Sequence, residues 1–149
     1  MHKFTILIPY ASIIVIFCLM LDAELAMAKW PTPPTFNPNA NYPHLQDNIS
    51  LEEFRISLED YRFEVENLNI QIKNFNKLLE KERVRIEKLR RLKQITLKAY
   101  NELIEEYYNL VSLITSEGNL IRLYNRGVAK YKEGIELYKT EVKMFRPLE

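Results

Sequence analysis

Cysteine is nearly missing from this sequence: 149 residues contain one thiol, Cys18, inside an N-terminal apolar stretch. Histidine is almost as scarce, with only His2 and His44. Disulfide scaffolding, thiol chemistry and Cys/His metal sites therefore have no material to work with. Glycine occurs three times, at positions 118, 127 and 134, which removes phosphate loops and dinucleotide fingerprints and disfavours a fold built on tight β-turns. No H-E-x-x-H, C-x-x-C or P-loop spacing is present. Adjacent acids such as Glu52-Glu53 and Glu105-Glu106 project in different directions from a helix, so they read as solvated faces rather than a working carboxylate pair. The expectation is a chain that is not an enzyme, with no catalytic residue, cofactor or metal and no small-molecule ligand. The formal charge is only +1 and no polybasic tail occurs, so a nucleic-acid partner is excluded as well.

What is present begins with a leader. Lys3 supplies a short positive start, residues 4–21 are almost wholly apolar, and Ala26-Met27-Ala28 forms an A-x-A pattern. That order is the layout of a secretory signal cleaved after Ala28. Retention as an anchor is the alternative, because the apolar run approaches the roughly 20 residues that span a bilayer. Cys18 follows the bulky Phe17, which argues against lipidation. Cleavage removes the thiol and His2, and leaves 20 basic residues (21 less Lys3) and 18 acidic ones (20 less Asp22 and Glu24). The expected location is exported, periplasmic or extracellular, with no stable membrane anchor after cleavage. Asn48-Ile49-Ser50 is a glycosylation sequon, relevant only on a eukaryotic secretory route.

Residues 29–48 read as an extended arm. Five of the seven prolines fall between positions 31 and 43, which rules out helix and favours polyproline-like backbone. Trp30, Phe36 and Tyr42 recur every six residues, as anchors for a partner groove or as rings that pack locally.

From His44 to Glu117 there is neither Gly nor Pro. Ser50-Leu-Glu-Glu53 is a capping box, so a helix starts there with no obvious stop before Gly118. Residues 49–117 are thus expected as one long amphipathic helix. Leu51, Leu58, Val65, Ile72, Leu79 and Ile86 recur every seven residues, interleaved with Phe54, Tyr61, Leu68 and Phe75. This seam signals helix-on-helix packing, with Glu82, Lys93 and Thr96 as misfits. Residues 54–74 also alternate in a way a β-meander would, but the turns lack glycine.

Gly118 suits a left-handed helix end and Asn119 a cap, so a second helix is expected in 118–149. Its seam is Ile121, Tyr124, Val128, Tyr131, Ile135, Tyr138, Val142 and Phe145. Gly127 and Gly134 beside it would let another backbone approach. A short turn predicts an antiparallel hairpin of 90–116 with 119–145. The fold class is therefore all-α, a long antiparallel coiled-coil helical hairpin, or a three-helix bundle if the long helix kinks near 67–76.

That hairpin leaves residues 49–88 uncovered. Here Ile49, Ile56, Phe63 and Ile70 form a second apolar stripe opposite the seam, and a helix apolar on two sides is buried on two sides. Residues 50–68 carry six acids and two bases, while 73–98 carry ten bases and three acids. A parallel dimer would stack like on like; a folded-back kink or antiparallel association would not. Arg83, Arg85, Arg90 and Arg91 form the strongest basic cluster, facing solvent or an acidic partner. The expected function is that of a structural or adaptor protein, such as a component of an envelope, pilus or secretion apparatus. Its protein partner or second copy would meet Trp30, Phe36, Tyr42, the stripe and the arginines. A holdase-like chaperone with helical prongs and a secreted membrane-active effector are the alternatives.

Overall fold

The structure, a computed structural model, describes residues 28–45 and 49–145. The leader, Asn48 of the sequon and the Arg146-Pro147 stop lie outside the described residues. The protein is all-helical. Its elements are α1 (Leu51–Arg91), α2 (Leu97–Ser112) and α3 (Asn119–Phe145), with no strand among the described residues. The meander reading of 54–74 therefore falls away.

α1 begins where the capping box places it: the Ser50 hydroxyl accepts from the Glu53 amide at 3.2 Å, and the Glu53 carboxylate accepts from the Ser50 amide at 2.9 Å. It then runs 41 residues, about 60 Å, without interruption, so the chain does not fold back at 67–76. Its buried residues are Phe54, Leu58, Tyr61, Val65, Leu68, Ile72, Phe75, Leu79, Glu82, Ile86 and Leu89. Steps of four and three alternate without a fault, which keeps one face of the helix aimed at one partner layer.

The expected single helix over 49–117 breaks at residues 92–96. Lys93 sits at φ 55°, its amide donates to the Arg90 carbonyl at 3.1 Å, and the Gln94 amide donates to the Leu89 carbonyl at 2.9 Å. These two bonds define a Schellman close, made here by a lysine in the left-handed region instead of a glycine. Thr96 then caps α2 through its hydroxyl, which accepts from the Ala99 amide at 3.2 Å. Two of the three seam misfits are thus the turn itself. A side chain at positive φ costs about 1 kcal/mol, so Lys93→Gly should raise stability by roughly that amount in a denaturant titration, with an unchanged m-value.

The hairpin of 90–116 with 119–145 is not the pairing the chain adopts. Both return helices pack on α1. Tyr107 of α2 donates its hydroxyl to Glu80, and Tyr100 and Leu103 pack against Ile86 and Leu89. Gly127 of α3 faces Val65, and Gly134 faces Leu58. α2 and α3 therefore run in the same direction, antiparallel to α1, with α2 on its C-terminal half and α3 on its N-terminal half. Their 16 and 27 residues together match the 41 of α1. The segment joining them is a jog, not a reversal: the Leu113 carbonyl accepts from the Leu120 amide across it at 3.0 Å.

Glycine is required in this jog for space. Gly118 does not have positive φ, contrary to the sequence expectation, but a Cβ there would lie 2.3 Å from the Leu113 carbonyl oxygen. Its own carbonyl accepts from the Arg122 amide at 3.0 Å, which makes Gly118, not Asn119, the residue preceding α3. Gly127 and Gly134 do what their spacing implied: an added Cβ would come within 2.9 Å of Val65 and 2.4 Å of Leu58.

Charge follows the same plan. Residues 101–117 hold four acids and no base, and they lie along the basic half of α1; 122–145 hold six bases and three acids, and α3 lies along its acidic half. Opposite blocks thus face each other over both return helices.

Candidate interaction surface

The arm is the third component of the core. Lys29 lies at Glu82 and Tyr42 at Tyr61, about 30 Å apart on α1 at helical rise. The thirteen steps from Lys29 to Tyr42 would reach about 40 Å in polyproline form, so the arm is extended for most of its length and a turn closed by the Ala40 amide on the Asn37 carbonyl (3.1 Å) takes up the excess. The arm runs antiparallel to α1.

Its three aromatics meet this chain's own helices. Trp30 lies 6.1 Å from the Tyr107 ring and packs against both core clusters. Phe36 approaches the site of the missing Cβ at Gly127, to 3.2 Å. Tyr42 packs edge-on to Tyr61 at 5.4 Å, beside Gly134, with the Lys130 ammonium 4.4 Å from its ring centre. The two glycines therefore admit two rings as well as a helix.

Tyr61 fixes the arm from the core. It is 1% exposed and donates its hydroxyl to the Pro38 carbonyl at 2.8 Å. Burial first, then the neighbouring Tyr42 and Glu64, pushes its pKa from 10.0 to about 12. The unfolded chain ionises this phenol near 10 and the folded chain near 12, so folding loses stability as pH rises across that window. Stability should decline between pH 10 and 12, and Tyr61→Phe should flatten this part of the profile in chemical denaturation while lowering stability by about 1 kcal/mol at pH 7 for the lost hydrogen bond.

Glu82, the third misfit, is 8% exposed at a seam position. Its carboxylate accepts from the Lys29 amide at 2.7 Å and from the Arg85 guanidinium at 2.7–3.0 Å. Burial works against its charge, but the Arg85 and Lys29 hydrogen bonds outweigh it and hold the carboxyl below its usual range.

The basic cluster does not present itself as a free patch. Arg83 bridges Glu80 and Glu87, Arg85 pairs with Glu82, and Arg91 reaches Glu87 at 3.6 Å. Arg90 lies 5.7 Å from the centre of the Tyr100 ring. Lys73, Lys77, Lys81 and Lys88 form no ion pair among the described residues, and these lysines carry the positive field of this half.

The stripe is different in kind. Ile56, Phe63 and Ile70 are 47%, 57% and 56% exposed, on the side of α1 opposite its buried seam, whereas Ile49, 38% exposed, precedes the helix and lines a cleft with Leu137, Glu141 and Phe145 of α3, so it does not belong to this outer face. The sequence reading missed Val84, which continues the same line and is more than half exposed; Leu78, half exposed, borders the arm beside Pro31 and Pro34 instead. The heptad step from Ile70 through Lys77 to Val84 was the available signal. Arg62 lies 4.8 Å from the Phe63 ring centre and also pairs with Glu59 and Glu66, so the stripe is bordered by a fixed charge network. From Ile56 to Val84 the line is about 42 Å long, interrupted once at Lys77. A row of large apolar groups of this length marks an interaction face far better than scattered surface residues do.

Among the described residues no group of three or more His, Cys, Asp or Glu is placed to hold a metal, and no helix is long and apolar enough to cross a membrane. Comparison with protein-family models, with curated proteins and with solved structures finds no match. The class that the described residues define is an all-helical fold of three helices; its function is argued from the faces just described.

Proposed function

We propose that this is an exported, non-enzymatic structural or adaptor protein that works through coiled-coil contacts made by the outer face of α1, and that the occupant of this face is a second copy of the chain. The observation that carries the reading is the stripe: α1 is apolar on two opposite sides, and α2, α3 and the arm cover only one. The leader pattern supports export.

Charge selects the orientation. Glu52, Glu53, Glu59, Asp60 and Glu66 border the stripe in the first half of α1, whereas Lys73, Lys77, Lys81 and Lys88 line or border the second, where the two bordering acids, Glu80 and Glu87, are paired with Arg83. A parallel copy sets like blocks together; an antiparallel copy sets acid against base. The chain already answers this pattern once, on its inner side, with antiparallel helices. Exposed ion pairs contribute little each, so the apolar line supplies affinity and the blocks supply direction.

Light scattering on the purified protein at micromolar concentration should give twice the chain mass. High salt should loosen the dimer by screening the blocks. A monomer that suppresses aggregation of unrelated clients would favour the chaperone reading, and a monomer that leaks liposomes would favour the membrane reading.

A further inference from the structure

The seam of α1 contains one charged residue, and the group it holds is the start of the arm. Glu82 lies between Leu79 and Ile86, both 0% exposed, and Ala28 and Trp30 pack on the neighbouring cluster of Ile86, Leu89 and Ile95. The atom at 2.7 Å from Glu82 Oε1 is the backbone nitrogen of Lys29. This is also the nitrogen set free if the chain is cut after the A-x-A pattern at 26–28. Two independent observations, a small-residue cleavage pattern and a buried carboxylate three-dimensionally placed, converge on one atom.

We propose that Glu82 is a binding seat for the α-ammonium of a mature chain that begins at Lys29. This rests on the reading of residues 1–28 as a cleaved leader. In the processing step water adds across the Ala28–Lys29 peptide bond. The C–N bond breaks, a C–O bond forms on the Ala28 carbonyl carbon, and the amine released on Lys29 takes a further proton from solvent. Before the cut, Lys29 offers Glu82 a neutral amide with one donor. After it, the same nitrogen is a cation with three donors, already at ion-pair distance.

Glu82 has acceptor capacity for both partners. Oε1 accepts from Lys29 and twice from Arg85, and Oε2 accepts from Arg85, which fills the roughly four hydrogen bonds a carboxylate takes; the ammonium needs no further site, because its nitrogen is the one already bound. Arg85 holds the carboxylate ionised and oriented; the ammonium pins the arm. The consequence is a fold whose arm is locked by processing: Trp30, next in the chain, is held over Tyr107, and the extended segment is tied down at its first residue. A carboxylate in a seam of apolar residues is hard to explain by packing alone, since an isosteric apolar residue would serve the core better.

The test is to express the full precursor in a host with a secretory route and purify the exported chain. Intact mass gives its first residue. An amine-reactive acyl reagent at neutral pH, followed by peptide mapping, gives the labelling rate of the α-amine. Three chains are compared: the natural one, Glu82→Gln, and one with a glycine inserted between Ala28 and Lys29, which moves the amine by about 3.5 Å. The natural chain should start at Lys29, and its α-amine should label at least tenfold more slowly than in either variant. A start at another residue overturns the processing reading and the seat with it. A start at Lys29 with equal labelling rates in all three overturns the seat alone. Should Glu82→Gln fail to fold, the inserted chain decides, because it leaves every core side chain in place.

Discussion

Gly118→Ala should lower stability by about 2–3 kcal/mol, seen as a fall of roughly 10 °C in the melting midpoint. The new Cβ would meet the Leu113 carbonyl carbon at 2.5 Å and the Leu113 and Ser112 carbonyl oxygens at 2.3 and 2.5 Å. These are backbone atoms, so no rotamer change relieves the contact. Moving them disturbs the bond from the Leu120 amide to the Leu113 carbonyl, and with it the offset between α2 and α3. A Cβ at Gly134 would be nearly as close to a neighbour, but that neighbour is the end of the Leu58 side chain. Gly134→Ala also gains helix propensity of up to about 1 kcal/mol, so its net loss should be smaller. Differential scanning calorimetry of the two variants should therefore rank Gly118→Ala as the more damaging. The opposite order would mean that the jog is softer than its geometry implies.

Phe63→Asp should dissociate the protein without unfolding it. Phe63 is 57% exposed and touches no member of the core, so far-ultraviolet circular dichroism and the unimolecular part of the melting curve should be unchanged. In the proposed dimer each copy loses a large apolar contact and places a carboxylate in the apolar line. At about 1.5–3 kcal/mol for a fully buried aromatic side chain, the loss over two copies corresponds to a dissociation constant weaker by a hundredfold or more. Leu79→Ala is the contrast: Leu79 is 0% exposed, and its truncation should cost about 2–5 kcal/mol of folding stability with no selective effect on assembly.

Much of the local structure was legible in the residues, for physical reasons that can be named. The capping box fixed the first residue of α1, and the alternating four-three spacing identified its buried face down to Leu89. The three misfits mark real departures whose nature a heptad pattern does not reveal. Lys93 and Thr96 are where the helix closes and restarts, hidden because a lysine takes the left-handed position that usually announces itself as glycine. Glu82 is where the arm begins, a long-range contact of 53 residues that no periodicity can report. The choice of partner for α3 failed because heptad seams are interchangeable. The adjacent acids of 101–117 and bases of 122–146 favoured a local hairpin, and only the backbone of the jog, which does not reverse, sends α3 to the acidic half of α1 instead. Residues 49–88, which the sequence left uncovered on both faces, are in fact covered on one. Of the surface, Ile56, Phe63 and Ile70 were legible from their heptad step, but Ile49 precedes the helix and turns to α3, and the arm's aromatics engage this chain's own helices.

The central claim is that two copies meet antiparallel along the stripe, and distances between spin labels test it most directly. The chain from Lys29 onward contains no cysteine, so a single one introduced at Gln71 or at Lys88 of the exported protein reports only on its counterpart in a second copy. With acidic and basic blocks facing each other, the two-fold axis falls between them, near residues 69–70. The account predicts a separation within about 25 Å for labels at Gln71→Cys and about 55 Å for labels at Lys88→Cys, from the helical rise alone. Short separations at both positions would mean a parallel pair, and no separation between copies at either would mean a monomer; each result contradicts the account.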